Sequence, residues 1–415
     1  MASSAFGLSG CVLSVPARPA ADPPISPVPA AASPAVAPSE VAVGVVLSLS
    51  GRYSREGALM RAGYETWADA VQQAGGLNVG GSRRTLRLSF ADDASEPLNA
   101  GRQAERLAAA EGVRLWLGPF SAQITMAVAT VADRVGALVV APDASAADLY
   151  GRGLRRIVSI LPTEDKLFHG VADLAAVAEP RAQPIGILIA DEVSNAAAVT
   201  GFRERAAALD LGPVHLELTS LGARDVTFPL SRLAEHQPRL VILATEAAQS
   251  ARFTPTLRDL LPFATMRAIV PLPEPATRAS QRDLIYDGAL TVESWWPTIA
   301  SHGPLLGSAG EFAARFRRLH GYDVEPRGAA AAAAGLALQL GIEQASSADP
   351  AAVREAFSTL DVTTFWGRLA WDVAGRNRVG LPPVLQQQGD ALVAVYPREL
   401  AGGRLRYPLA GWPRS

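Results

Sequence analysis

A regular alternation of short apolar segments with helical segments is the feature that most constrains how this chain can fold. Residues 41–49 and 185–190 are apolar on both faces, which is typical of parallel strands buried inside a sheet. Helical patterns at 57–74 and 196–209 follow these two segments. Strands that alternate with helices in this way predict βαβ units, in which helices cover both faces of each parallel sheet.

The alternation occurs in two successive series. The first series has predicted strands at 41–49, 86–90, 115–117 and 137–140, with helices at 57–74, 97–111 and 120–134. The second has predicted strands at 185–190, 214–219, 240–244 and 268–270, with helices at 196–209, 227–236 and 247–261. We therefore expect an α/β protein with two similar doubly wound halves.

Composition limits the classes of partner. The chain has 415 residues, is 49% hydrophobic and carries a formal net charge of −2, so a basic surface for nucleic acid is not expected. Residues 12–40 are dominated by proline and alanine, which predicts an extended tether without a core of its own. Residues 401–415 are expected to form a C-terminal tail.

Cys11 is the only cysteine, so neither an intramolecular disulfide nor a thiolate metal cluster is possible. The tetrapeptide Leu-Ser-Gly-Cys at 8–11 resembles a bacterial lipobox, in which the cysteine is lipidated and becomes the mature N-terminus. The residues before it contain no Lys or Arg and are too short for a complete export signal. Two interpretations follow: residues 1–11 are the remnant of a signal that starts upstream, or the match is a coincidence. The first predicts a lipid-anchored protein in the periplasm or another extracytoplasmic space.

Small and hydroxyl-bearing residues follow three successive predicted strands of the first series. Ser48 and Ser50 end the first strand, Ser121 follows the strand at 115–117, and Ser145 follows the strand at 137–140. The carboxyl ends of parallel strands meet at one edge of a sheet, where open α/β sheets bind ligands. Helix N-termini at this edge favour a carboxylate. Asp92 and Asp93 follow the strand at 86–90, and we expect them to cap the helix at 97–111.

Six sequence blocks, in this order, resemble the Leu/Ile/Val-binding type of periplasmic substrate-binding protein, the recognition subunit of ABC importers. They are Val-Val-Leu-Ser-Leu-Ser-Gly, Asp-Asp-Ala-Ser-Glu-Pro, Leu-Gly-Pro-Phe-Ser-Ala, Val-Val-Ala-Pro-Asp-Ala-Ser, Gly-Tyr-Asp-Val-Glu-Pro and Phe-Trp-Gly-Arg-Leu-Ala-Trp-Asp-Val-Ala-Gly-Arg-Asn. The resemblance spans residues 41–396. It implies capture of a small amino-acid-like ligand by hinge closure, followed by delivery to ABC permease subunits.

The resemblance also implies two lobes joined by three crossover strands, which should lie near 158–161, 290–293 and 364–369. Lobe I would then comprise 41–160 and 293–364, and lobe II would comprise 161–292 and 365–400.

The resemblance further implies a set of ligand-binding positions. Ser145 matches a hydroxyl residue that holds the ligand carboxylate and ammonium, whereas Ala122 stands where relatives have a serine. Glu274 matches an acid that pairs with the ammonium. The other implied positions are Ser121, Gln123, the Asp143 carbonyl, Ala144, Glu246, Arg52 and Glu56. Their charges predict a ligand more polar than leucine: a polar amino acid, an amide or a small carboxylate.

No catalytic constellation is evident in the sequence. The five histidines are scattered without metal-ligand spacing, and neither a nucleophile elbow nor a P-loop is present. We therefore predict a binding protein without enzyme activity, metal or cofactor. The alternative is that the same fold acts as a ligand sensor for a regulator or receptor, without transport.

Overall fold

Two mixed β-sheets, each with helices on both faces, make up the computed structural model, which describes residues 39–178, 180–191, 193–271 and 286–409. The strands of the first sheet are β1 (Glu40–Leu47), β2 (Leu77–Val79), β3 (Ser82–Asp92), β4 (Leu115–Leu117), β5 (Leu138–Ala141) and β6 (Ile157–Ser159). Those of the second are β7 (Ile185–Ala190), β8 (Val214–Thr219), β9 (Leu240–Ala244), β10 (Met266–Val270), β11 (Leu290–Val292), β16 (Val384–Gln388) and β17 (Ala391–Tyr396).

The strand orders are those of doubly wound sheets. The first sheet has the order β2-β3-β1-β4-β5-β6 and the second has the order β17-β16-β11-β10-β9-β7-β8. The central strands pair in parallel, as the alternation predicts. Three strands at or next to a sheet edge pair antiparallel, however: β2 pairs with β3, and β16 and β17 extend the second sheet beyond β11. The sheets are therefore mixed and not purely parallel.

Helices cover both faces of each sheet and bury their apolar sides there. They are α1 (Ser54–Gln73), α2 (Pro97–Ala109), α3 (Ala122–Val135), α4 (Asp148–Gly151), α5 (His169–Val177), α6 (Val193–Ala208), α7 (Thr227–Ala234), α8 (Ala247–Leu260), α9 (Ala309–His320), α10 (Pro326–Ala345) and α11 (Pro350–Ala356). Helix α10 is buried almost all round, because it packs against α1 and close to the first sheet. Within the described ranges, no helix is both long enough and apolar enough to cross a bilayer.

Two short hairpins lie outside the main sheets. One consists of β12 (His302–Gly303) and β13 (Gly307–Ser308), and the other of β14 (Asp361–Thr364) and β15 (Gly367–Ala370). Phe365, at the tip of the second hairpin, is buried in the same core as Trp295. After β15, the chain returns to the second sheet at Val384. Its third passage between the sheets therefore comes later than the predicted crossing at 364–369. The limits of the two predicted lobes remain a prediction.

Candidate functional site

The loop between β4 and α3 is fixed tightly to the neighbouring strand. The Gly118 N–H donates to the Val140 carbonyl at 2.9 Å, and the Tyr64 hydroxyl donates to the Gly118 carbonyl at 2.9 Å. A Cβ atom at position 118 would lie 2.9 Å from the Ala141 Cα, so only glycine permits this close approach. The rigid turn sets where the following residues, from Phe120 to Gln123, meet the sheet edge.

Ser121 begins α3 in a backbone conformation that residues other than glycine rarely adopt. Its φ is 75° and its ψ is 146°, and its hydroxyl accepts the Ile124 N–H at 3.4 Å, so the side chain caps the helix. Ala122 and Gln123 are exposed beside it. The Ser121 hydroxyl therefore already accepts a hydrogen bond within the protein.

The loop after β5 carries the other sequence-predicted residues of this edge. Asp143 and Ser145 are partly buried, and Ala144 is buried with its carbonyl accepting the Tyr150 hydroxyl at 2.8 Å. The Ser145 carbonyl accepts the N–H of Glu164 at 3.2 Å, which places the Glu164 carboxyl group next to Ser145. The structure thus brings Ser121, Asp143 and Ser145 to one edge, together with an acid that the sequence did not predict.

The carboxyl groups at this edge share a common electrostatic feature, because burial makes their charged forms less favourable. Burial raises the pKa of Asp143, although the Arg327 guanidinium and the Ser121 N–H act in the opposite direction. Burial and the charge of Asp143 raise the pKa of Glu164, while the Ser145 hydroxyl lowers it. Carboxyl groups with perturbed pKa values in a cleft are typical of functional sites.

Glu293 and Arg327 complete this set of charges. Glu293 directly follows β11, is partly buried, and has its pKa raised by burial to about 7, with Arg327 acting in the opposite direction. Arg327 lies in the first turn of α10, with its guanidinium carbon 5.0 Å from the centre of the Phe120 ring. Among the described residues, neither side chain has a hydrogen bond or an ion pair within 4.0 Å.

The Phe120 ring that Arg327 contacts belongs to an aromatic pair. Tyr53 and Phe120 meet edge to face, with ring centroids 5.1 Å apart, and the Arg52 guanidinium carbon lies 4.5 Å from the Tyr53 ring centre. Arg52 is exposed. The site therefore joins apolar ring surface to separated charges of both signs, an arrangement suited to a small polar molecule.

The remaining predicted positions are not joined to this set by any described contact. Glu56 is partly buried in the first turn of α1, and Glu246 is exposed at the start of α8, beside the second sheet. Glu274 and Cys11 lie outside the described residues. In the part of the chain that the structure describes, no group of three or more His, Cys, Asp or Glu side chains could hold a metal ion.

The expectation that Asp92 and Asp93 cap the next helix is wrong. The N-cap of α2 is Glu96, which makes no side-chain cap. One Asp92 oxygen accepts the N–H groups of Leu49 and Ser50 at 2.9 and 3.2 Å, and Asp93 accepts the Ser48 hydroxyl at 2.6 Å. These aspartates tie the end of β3 to the end of β1, because the two strands are paired in parallel and finish side by side.

Sequence reasoning missed Glu164, Glu293 and Arg327. Two of them carry a signal in the sequence: Glu293 immediately follows an apolar strand, and Arg327 is the only basic residue in the apolar helix α10. Glu293 and Arg327 are also more than a hundred residues from Asp143 in the chain, so sequence patterns do not relate them to it.

Comparison with known proteins places this geometry in a family. A family model described as "Periplasmic binding protein" matches residues 40–387. The chain belongs to the periplasmic binding protein family. Among its relatives is the Leu/Ile/Val-binding protein BraC3 of Rhizobium johnstonii, which is 30% identical over 131 residues, covering 32% of this chain and 34% of the relative. The chain thus spans about a third of the length of the curated relatives that it matches.

Solved structures extend the likeness over most of the chain at the level of the fold. A putative branched-chain amino acid ABC transporter protein from Rhodospirillum rubrum has a TM-score of 0.72 and 18% identity, covering 86% of this chain and 100% of the other. A solute-binding protein of an ABC transporter from R. palustris, in complex with benzoate, has a TM-score of 0.62 and 17% identity, covering 89% and 99%. The family is one of extracytoplasmic binding proteins.

Proposed function

We propose that this protein is the solute-binding component of an ABC importer, and that it captures a small polar, amino-acid-like ligand between its two lobes and delivers it to the permease. The ligand occupies the edge of the first sheet formed by the loops after β4 and β5. Groups of the second lobe then close over it by rotation at the connecting segments.

One observation carries this proposal. Asp143 follows β5, Glu293 follows β11, and the Arg327 guanidinium of α10 rests on the Phe120 ring of the Tyr53–Phe120 pair. Glu293 is partly buried and has no hydrogen bond or ion pair within the described residues, and such a charge is unfavourable unless water or a ligand satisfies it. Binding at the strand ends of an open α/β sheet is also the general pattern for this architecture.

A thermal-shift screen tests the proposal. Fragment 39–415 would be scanned against amino acids, their amides, and aliphatic and aromatic carboxylates, and a ligand that binds only the folded state raises Tm. A hit should also reduce the radius of gyration in small-angle X-ray scattering, because the lobes close. A hit that leaves the radius unchanged would contradict the capture mechanism.

An aromatic carboxylate is the second candidate ligand. The R. palustris structure contains benzoate, and the Tyr53–Phe120 pair beside Arg327 offers ring surface and a positive charge to such a molecule. Benzoate and phenylalanine therefore belong in the same screen.

A ligand sensor without transport is the alternative function. Deleting the gene should abolish uptake of the radiolabelled ligand if the protein serves an importer. Intact uptake together with a lost transcriptional response to the ligand would favour the sensor.

We also propose that Cys11 anchors the protein to a membrane through a lipid. The proposal is supported by the lipobox-like tetrapeptide and by the proline- and alanine-rich segment that follows it. Cys11→Ser should move the protein from the membrane to the soluble fraction, whereas Ser14→Ala should not. Membrane association of the Cys11→Ser variant would contradict lipidation at this residue.

A further inference from the structure

Arginines are concentrated where the parallel strands of the first sheet begin, at the edge opposite the loops after β4 and β5. The segments 80–84, 110–114, 133–137 and 152–156 lead into or begin β3, β4, β5 and β6, and they contain seven arginines but two acidic residues, Glu111 and Asp133. We call the seven the arginine edge: Arg83, Arg84, Arg114, Arg134, Arg152, Arg155 and Arg156. The whole chain has a formal net charge of −2, so this excess of positive charge is local.

Backbone hydrogen bonds place these arginines side by side. The Leu138 N–H donates to the Arg114 carbonyl at 2.8 Å, and the Val139 N–H donates to the Arg156 carbonyl at 2.9 Å. The starts of β4, β5 and β6 are therefore adjacent, and β3 lies beyond β1 on the other side of β4. Because neighbouring strands are about 4.8 Å apart, the arginine edge extends over about 20 Å from β3 to β6.

Contacts within the protein use only part of the donor capacity of these side chains. Arg114 donates from Nε to the Val135 carbonyl at 3.3 Å, and Arg156 donates from Nη1 to the Gly136 carbonyl at 3.1 Å, at the C-terminal end of α3. Each guanidinium has five N–H donors, and these contacts use one of them. Arg114 is exposed, and so is Arg155.

Acidic neighbours offset part of the positive charge. Arg134 forms an ion pair with Glu105. Asp133 accepts the backbone N–H groups of Arg155 and Arg156 at 3.0 and 2.9 Å. Glu111 pairs at 2.6 Å with an arginine of α2 that is not among the seven. The positive charges of the arginine edge therefore remain in excess.

The chain reaches this edge directly from the segment that carries the proposed lipid anchor. Strand β1 begins at Glu40, and the Ser39 carbonyl next to it accepts the Thr85 N–H of β3 at 3.0 Å. Cys11 and the predicted tether thus precede a strand that begins in the middle of the arginine edge. A surface in contact with this edge would leave the loops after β4 and β5, at the opposite edge, uncovered.

From this juxtaposition we propose that the arginine edge rests on the anionic phospholipid headgroups of the membrane to which Cys11 is anchored. Phosphate oxygens accept hydrogen bonds from guanidinium groups, and an anionic lipid surface attracts a cluster of basic side chains. A tether alone allows any orientation of the sheets to the membrane, whereas the arginines select one. The proposal rests on the proposed anchoring at Cys11 and adds a second, non-covalent contact with the same membrane.

The test uses the full chain with Cys11→Ser, so that a lipid anchor contributes nothing to binding. Cosedimentation measures its affinity for vesicles of phosphatidylcholine alone and for vesicles of phosphatidylcholine and phosphatidylglycerol. We expect binding to the mixed vesicles only. Raising NaCl from about 50 mM to about 500 mM should weaken that binding at least about tenfold, because salt screens exposed charges.

A triple variant locates the contact. In the Cys11→Ser chain, replacing Arg114, Arg152 and Arg155 together by Gln should weaken binding to the mixed vesicles at least about tenfold. Arg155→Gln alone should weaken it about threefold to fivefold, and it serves as the test if the triple variant does not fold. The matched control is a second triple Gln variant, at Arg203, Arg224 and Arg398, which removes the same charge from exposed positions outside the arginine edge and should bind like the parent.

Four results would overturn the proposal. They are no binding to the mixed vesicles at low salt, equal binding to both kinds of vesicle, an equal loss in the two triple variants, and binding to native membranes that protease treatment abolishes while the lipid vesicles bind nothing. The last result would assign the arginine edge to an acidic protein. Because the vesicle assay uses Cys11→Ser, failure of the arginine contact is distinct from failure of lipidation, which fractionation of the unaltered chain measures.

Discussion

Glu293 combines a location suited to ligand binding with a property that reduces stability. Its folded-state pKa of about 7 lies above the usual value of 4.5, because burial disfavours the charged form. The folded protein therefore holds a proton between these pH values that the unfolded chain has released. The free energy of unfolding consequently falls as pH rises from about 4.5 to about 7, and this loss is complete above pH 8.

Glu293→Gln removes this loss, because glutamine does not ionise. We expect the variant without ligand to be more stable than the wild type by about 1–3 kcal/mol at pH 8, with the difference disappearing below about pH 4. Urea denaturation at pH 8 and at about pH 4 measures this difference in stability. If Glu293 binds the ligand, the Glu293→Gln variant should be more stable and should also bind the ligand more weakly, since functional sites often reduce stability. Equal stability at pH 8 would mean that Glu293 is not destabilising when ionised.

At the scale of elements, the crossing of α1 and α10 determines where Arg327 lies. A Cβ at Gly63 of α1 would lie 2.0 Å from the Gly328 carbonyl oxygen, and one at Gly335 of α10 would lie 2.4 Å from the Trp67 ring. The Trp67 indole N–H donates to the Gln339 side chain at 3.0 Å, which fixes the register of the two helices. The helices are in contact through glycines at both points.

Gly63→Ala should force the helices apart and shift the first turn of α10, which carries Arg327. We expect a loss of about 1–3 kcal/mol in the free energy of unfolding, and weaker ligand binding. Gly101→Ala in α2 is the matched control, because its Cβ would be 3.8 Å from the nearest atom and alanine favours a helix by up to about 1 kcal/mol. Denaturant unfolding measures the stability of both variants, and an equal change in their free energies of unfolding would contradict the close crossing.

The elements also indicate what could be predicted from the sequence. The central strands and long helices were predicted because apolar periodicity is a local property, although ends moved: the helix predicted at 57–74 is Ser54–Gln73. The strand predicted at 86–90 is Ser82–Asp92, because Arg83 and Arg84 near its start interrupt the apolar pattern. Asp143 and Ser145 were accessible to prediction because they follow a strand, whereas the contact of Arg327 with the Phe120 ring depends on tertiary packing.

At the scale of the whole molecule, three chain segments connect the sheets and are hydrogen-bonded to one another. The Trp371 indole N–H donates to the Ser159 carbonyl at 2.6 Å, beside the first segment. Asn377, in the third segment, donates to the Ile160 carbonyl at 2.7 Å and accepts the Gly380 N–H at 3.0 Å. The Glu293 N–H in the second segment donates to the Pro383 carbonyl in the third, so the proposed ligand on Glu293 would act on the segments that rotate in the proposed closure.

Asn377→Ala tests whether this bonding controls closure. Asn377 is 2% exposed, so its loss leaves the Ile160 carbonyl and the Gly380 N–H without their partner, and we expect the free energy of unfolding to fall by about 1–3 kcal/mol. If the linked segments rotate as one hinge, the variant should also show a different radius of gyration without ligand, measured by small-angle X-ray scattering. Arg376→Ala, next to it but exposed, should leave that radius unchanged. A destabilised Asn377→Ala variant with the wild-type radius and wild-type ligand response would assign the bonding to stability alone and place the hinge elsewhere.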